Sequence, residues 1–146
     1  MINFESLFVK NNGNSIIYDS KELVLLDRIS VKENQKIKIS FDEINSEWRQ
    51  GIVIKTKGTI VVNGKEIKNS IVLWYDTAPK EINIQIKSKN NEIIIYNVWD
   101  VGNGTMHYWH NGAAMWVEKK ENVVTYHCND GYPDSDLNDL IFTLTL

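Results

Sequence analysis

The 146-residue sequence has one cysteine, two prolines and no apolar run longer than a few residues. A lone Cys128 excludes an internal disulfide, so a reduced, cytoplasmic setting is the default expectation, with export by another route left open. The opening Met-Ile-Asn-Phe-Glu-Ser-Leu lacks a basic region ahead of an apolar block, so no signal peptide is expected. No stretch approaches the ~20 apolar residues of a membrane-spanning helix, so no span is expected. The lysines form no cluster and the net charge is −3. That balance weighs against nucleic acid as the main partner. Scarce proline beside abundant Ile, Val, Thr and aromatic residues favours strands over helices.

The length is most simply one domain over residues 1–146, long enough for a real core. Hydrophobic residues make up 42% and charged residues 24%, ordinary values for a globular chain. Lys36 to Phe41 alternates, with Ile37, Ile39 and Phe41 on one face. Glu81 to Lys87 does the same with Ile82, Ile84 and Ile86. Asn63-Gly64 between two β-prone runs predicts a type I′ hairpin. Further strands are expected at 15–18, 22–26, 51–56, 70–75, 92–99, 113–118, 123–128 and 140–146. Turns are expected at Asn11 to Asn14, Asp76 to Pro79 and Lys89 to Asn91. Residues 1–20 otherwise read as irregular. Asp42 to Arg49 is the one expected helical turn, with Ile44 and Trp48 four apart. The pattern predicts an all-β fold, an antiparallel β-sandwich or jelly roll of about nine or ten short strands.

The chemistry concentrates near the C-terminus. Residues 129–139 hold Asp130, Asp134, Asp136 and Asp139, with Asn129 and Asn138, and no Lys or Arg. Carboxylates this close repel one another unless a positive charge sits among them. Calcium takes several oxygen ligands at once from Asp, Asn and carbonyls. Gly131 and Pro133 make the segment a loop, ahead of a final apolar strand. Asp134, Asp136 and Asn138 alternate as in an EF-hand. The pattern then fails, because Asp139 stands where that loop needs glycine and Thr145 where it needs glutamate. The same Asp and Asn residues also suit a tight turn without metal, through side chain to backbone hydrogen bonds.

The phrase Asn129-Asp130-Gly131-Tyr132-Pro133-Asp134-Ser135-Asp136-Leu137-Asn138-Asp139 resembles the C-terminal loop of the two-calcium bacterial lectins that bind fucose and mannose. The similarity covers about the last 18 residues. It implies a calcium-dependent, lectin-like carbohydrate-binding module with Ca2+ as cofactor and a glycan as ligand. Asp134, Asp136, Asn138 and Asp139 would be ligands, with Asp130 beside them, and Asp136 and Asp139 would bridge two ions. Two departures stand out: one extra residue separates Asp130 from Asp134, and Asn129 replaces the family's first acid. Those lectins also draw on a C-terminal glycine carboxylate from a neighbouring chain. This sequence reads Leu144-Thr145-Leu146 there, and a homo-oligomer is an open expectation.

Four of the five tryptophans follow residue 70. Asn97, Trp99, Asp100 and Trp109, with the Gly102-Asn103-Gly104 stretch, are candidate sugar contacts, an indole for the apolar sugar face and polar groups for hydroxyls. Trp99 or Trp109 is expected to be partly exposed near the acidic loop, although large aromatics more commonly enter the core. His107, His110, His127 and Cys128 match no structural zinc spacing. His127 and Cys128 should face opposite sides of a strand. The alternatives to a lectin-like module are a metal-free interaction or structural domain and, ranked below it, a small hydrolase using Asp100, His107, His110 and the C-terminal acids. A binding protein is favoured over an enzyme.

Overall fold

The alternating stretches form strands and put their isoleucines inside. Ile37, Ile39, Phe41, Ile82, Ile84 and Ile86 all belong to one main core. In the computed structural model, which describes residues 3–146, the fold is all-β and antiparallel. Its described elements are α1 (Phe4–Lys10), β1 (Ile16–Tyr18), β2 (Lys21–Val24), β3 (Asp27–Ser30), β4 (Gln35–Ile44), β5 (Arg49–Val62), β6 (Lys65–Trp74), β7 (Glu81–Asp100), β8 (Ala114–Lys120), β9 (Val123–Asn129) and β10 (Leu140–Thr145). The strands run in the order β1-β2-β8-β9-β10-β4-β7-β5-β6, and β3 pairs with β7.

Three strands run through breaks that the sequence suggests. The turn expected at Lys89 to Asn91 is a kink inside β7, with Asn91 at φ 54°. Likewise β5 runs through Gly58, where its register against β7 shifts, and β6 runs through Asn69 at φ 70°. Gly58 adopts φ 151°, and a Cβ there would collide with the Lys87 carbonyl oxygen, so only glycine fits. These aligned kinks swing the first half of β5 and the second half of β7 over the β8-β9-β10 part of the sheet. The closure is visible in cross-layer bonds. The Asn97 amide donates to the Asn129 carbonyl at 2.8 Å, and the Tyr126 hydroxyl to Asp27 at 2.8 Å. The result is the expected sandwich, built from one sheet that doubles back. The expected hairpin is present, with Asn63 and Gly64 both at positive φ.

The helix is not where the sequence suggests. Asp42 to Ile44 continue β4, and Asn45 to Trp48 form an irregular link to β5. The irregular N-terminus instead contains α1. Its N-cap Asn3 accepts from the Glu5 amide at 3.0 Å, Glu5 lies in the first turn and Lys10 in the last. Phe4 and Phe8, one helical turn apart, are buried with Ile16, Leu23, Ala114 and Leu137 in a second, smaller core. Leu137 belongs to the acidic loop, so this small core pins the loop from behind.

Candidate functional site

Chain order dictates how the acidic loop is held. β9 ends at Asn129 and β10 begins at Leu140, so the loop spans two neighbouring, paired strands. The Asp139 amide donates to the Cys128 carbonyl at 2.9 Å and closes its base. Asp130 is fully buried. Its Oδ2 accepts from the Ser46 hydroxyl at 2.6 Å and the Gln50 amide at 2.9 Å, and its Oδ1 from the Tyr132 amide at 2.9 Å. The Asp130 amide in turn donates to Asp139 Oδ2 at 2.9 Å. The Asn45 amide reaches the Asp139 carbonyl at 3.0 Å, and the Asn45 side chain reaches the Asn138 carbonyl at 2.8 Å. The loop is thereby stitched to the link between β4 and β5.

Between these two segments lies a cleft of about 320 Å³, lined by Asn45, Ser46, Glu47, Trp48, Asp130, Tyr132, Asp134 and Asp139. Four of its lining residues are acids and none is a Lys or Arg. The Trp48 and Tyr132 rings meet edge to face at 6.3 Å, and Tyr132 is 51% exposed. Burial pushes the Asp139 carboxyl up to about 7, and the nearby carboxylates of Asp130 and Asp134 add to the rise. Burial also raises Asp134, with Asp136 contributing. Asp134 Oδ1 is buried without a hydrogen-bond partner. These are crowded carboxylates with an unpartnered acceptor oxygen and no Lys or Arg among the residues that line the cleft.

The acids share one loop but not one face. Asp130, Asp134 and Asp139 line the cleft. Asp136 and Asn138, with Ser135, line a separate hollow of about 150 Å³ beside Tyr18, Lys21, Trp116 and His127. Leu137 causes the division: its backbone turns left-handed at φ 54°, its amide donates to Asn129 Oδ1 at 2.6 Å, and its side chain enters the small core. Alternation in the sequence therefore does not put alternate side chains together. Among the described residues, no three His, Cys, Asp or Glu side chains converge on one point as a ready metal cage.

The aromatic candidates separate too. Trp99 is only 1% exposed and packs under the loop, where a Cβ on Gly131 would stand 2.7 Å from its ring. It borders the loop from inside and cannot face a ligand. Trp109 is 37% exposed, but it packs at a tilt against Tyr96 and edge to face against Tyr108. Asn97 is buried and spent on the Asn129 carbonyl. Asp100 Oδ1 accepts the amides of Gly102, Asn103 and Gly104, which hold its carboxyl below the usual range. The tryptophan that does border the cleft is Trp48, beside Tyr132, and sequence reasoning assigned it to a helical turn. Its only local signal was Asn45-Ser46, turn-forming residues that argue for an irregular link.

The three histidines do not assemble into one cluster. His107 and His110 are 3.3 Å apart beside Trp99. His127 stacks on Trp116 and bonds Glu118 at 2.6 Å. Cys128 is buried on the opposite side, and burial drives its thiol far up, so no thiolate is on offer.

No protein-family model matches the chain, and no curated protein matches it. Among solved structures, the chain is similar to the Chromobacterium violaceum lectin CV2L in complex with alpha-methyl-fucoside. The likeness is 14% in sequence, with a TM-score of 0.45, over 82% of this chain and 94% of that one. Among the described residues, no helix is long and apolar enough to cross a membrane.

Proposed function

We propose that this chain is a lectin-like carbohydrate-binding module whose acidic cleft takes up a single calcium ion beside the sugar. The observation that carries the reading is the cleft that Asp134 and Asp139 line together. Burial among carboxylates raises the Asp139 carboxyl to about 7, and Asp134 keeps a buried oxygen without a donor. The chemistry of this donor set fits a hard cation, which favours carboxylate oxygen. Asp134 and Asp139 would hold it, with Asp130 behind them fixing the loop. Calcium, when bound, supplies positive charge and open positions for sugar hydroxyls. One ion is proposed, because Asp136 and Asn138 face the other hollow. Trp48 and Tyr132 offer apolar ring surface to a sugar face, and Glu47 offers acceptors to its hydroxyls.

One observation favours a metal-free domain instead. Both Asp130 oxygens already accept protein donors, as they would in a loop that is only a turn. A glycan array probed in calcium and in chelator separates the two. The proposal expects calcium-dependent retention of a subset of glycans. It also expects Trp48→Ala to lose that retention while its melting temperature still rises in calcium. Equal signals in calcium and chelator would favour the metal-free reading.

A further inference from the structure

The kinks in β5, β6 and β7 occur at one level and open a groove across the sheet, remote in sequence from the acidic loop. It measures about 430 Å³ and is lined by Arg28, Lys55, Thr56, Lys57, Asn69, Ser70, Asn90, Glu92 and Ile94. That volume is within the ~300–1,000 Å³ of small-molecule sites. Three cations face one carboxylate there, in a protein of net charge −3. The one carboxylate is already engaged, since Glu92 Oε1 accepts from Arg28 at 3.0 Å. Lys55 and Lys57 have no carboxylate partner among the described residues. The Lys55 ammonium instead lies 5.6 Å over the Tyr96 ring. Asn90 Oδ1 accepts from the Ser88 hydroxyl, which leaves its amide NH2 as a donor. Thr56 spends its hydroxyl on the Glu92 carbonyl. The lining thus offers donors and a net positive charge.

We infer that this groove is a second binding site, for a carboxylate- or sulfate-bearing saccharide. The ammonium groups of Lys55 and Lys57 and the free guanidinium N–H groups of Arg28 meet the oxyanion. Asn90 and Ser70 meet hydroxyls, and Ile94 with the lysine stems covers an apolar sugar face. A lone inorganic ion would leave most of the groove unfilled. The site is independent of the acidic cleft and needs no metal.

The test is calorimetric titration in chelator, so that the acidic loop plays no part. The probes are a sulfated uronate disaccharide, a digalacturonate, a neutral disaccharide and inorganic sulfate. The wild type should bind at least one acidic disaccharide, more weakly as salt rises. Lys55→Gln with Lys57→Gln should weaken that binding at least tenfold, while the exposed pair Lys10→Gln with Lys32→Gln leaves it unchanged. Circular dichroism checks that each variant is folded. Absence of binding, equal weakening by the control pair, or equal affinity for the neutral disaccharide or for inorganic sulfate would overturn the inference.

Discussion

Gly131 passes so closely over Trp99 that any side chain at position 131 would enter the indole. The contact ties the acidic loop to the second half of β7, across the two layers of the sandwich. Gly131→Ala should therefore destabilise the protein by ~1–3 kcal/mol, the usual cost of overpacking a filled site. It should also displace the loop and weaken whatever the cleft binds. Denaturant unfolding followed by tryptophan fluorescence measures the first effect. An unchanged midpoint would mean that the loop is free to lift off Trp99.

The small core beneath α1 makes a second expectation. Phe8 is 2% exposed and packs against the cluster that also holds Leu137. Phe8→Ala should cost ~3–5 kcal/mol, the range for a buried phenylalanine. Its neighbour Val9 is 70% exposed, and Val9→Ser should stay within ~0.5 kcal/mol. Equal losses at the two positions would mean that α1 does not pack as described.

Much of this fold was legible locally. Alternation at Ile37/Ile39/Phe41 and Ile82/Ile84/Ile86 and the Asn63-Gly64 hairpin are short-range signals, and all three hold. The kinks were not legible, because Lys89-Asn90-Asn91 has turn chemistry whether the chain reverses or only bends. Here β5 lies beside both halves of β7 and keeps it one strand. Helix α1 was missed because its seven residues owe their stability to an asparagine cap and two buried phenylalanines. In the site, the acidic loop was legible from composition. Its division between two hollows depends on the left-handed turn at Leu137, and the approach of Trp48 on a link far away in sequence. Neither leaves a periodic trace.

The carboxyl of Asp139 predicts a pH dependence with a definite sign. Its ordinary value is 3.8, and in the folded protein burial and neighbouring carboxylates raise it to about 7. The folded state then holds the proton more tightly than the unfolded chain. Stability from this group is complete below about pH 4 and is lost as pH rises through about 7. In chelator, the melting temperature should fall between pH 5 and pH 8, and Asp139→Asn should flatten this component. Calcium should also remove it, by favouring the ionised form. A wild-type profile that matches that of Asp139→Asn would contradict the assignment.

The most direct test of the proposed calcium site is a thermal melt at neutral pH in millimolar calcium and in chelator. A cation bound only by the folded state at a hundredfold excess over Kd adds ~2.7 kcal/mol, equivalent here to a rise on the order of 5–10 °C. Asp136→Asn should keep the rise, since Asp136 lines the other hollow. Asp134→Asn with Asp139→Asn should abolish it without lowering the stability of the metal-free protein, because the double change relieves carboxylate crowding. A wild-type melt that is identical in calcium and in chelator would contradict the calcium site and, with it, the calcium-dependent reading of the cleft.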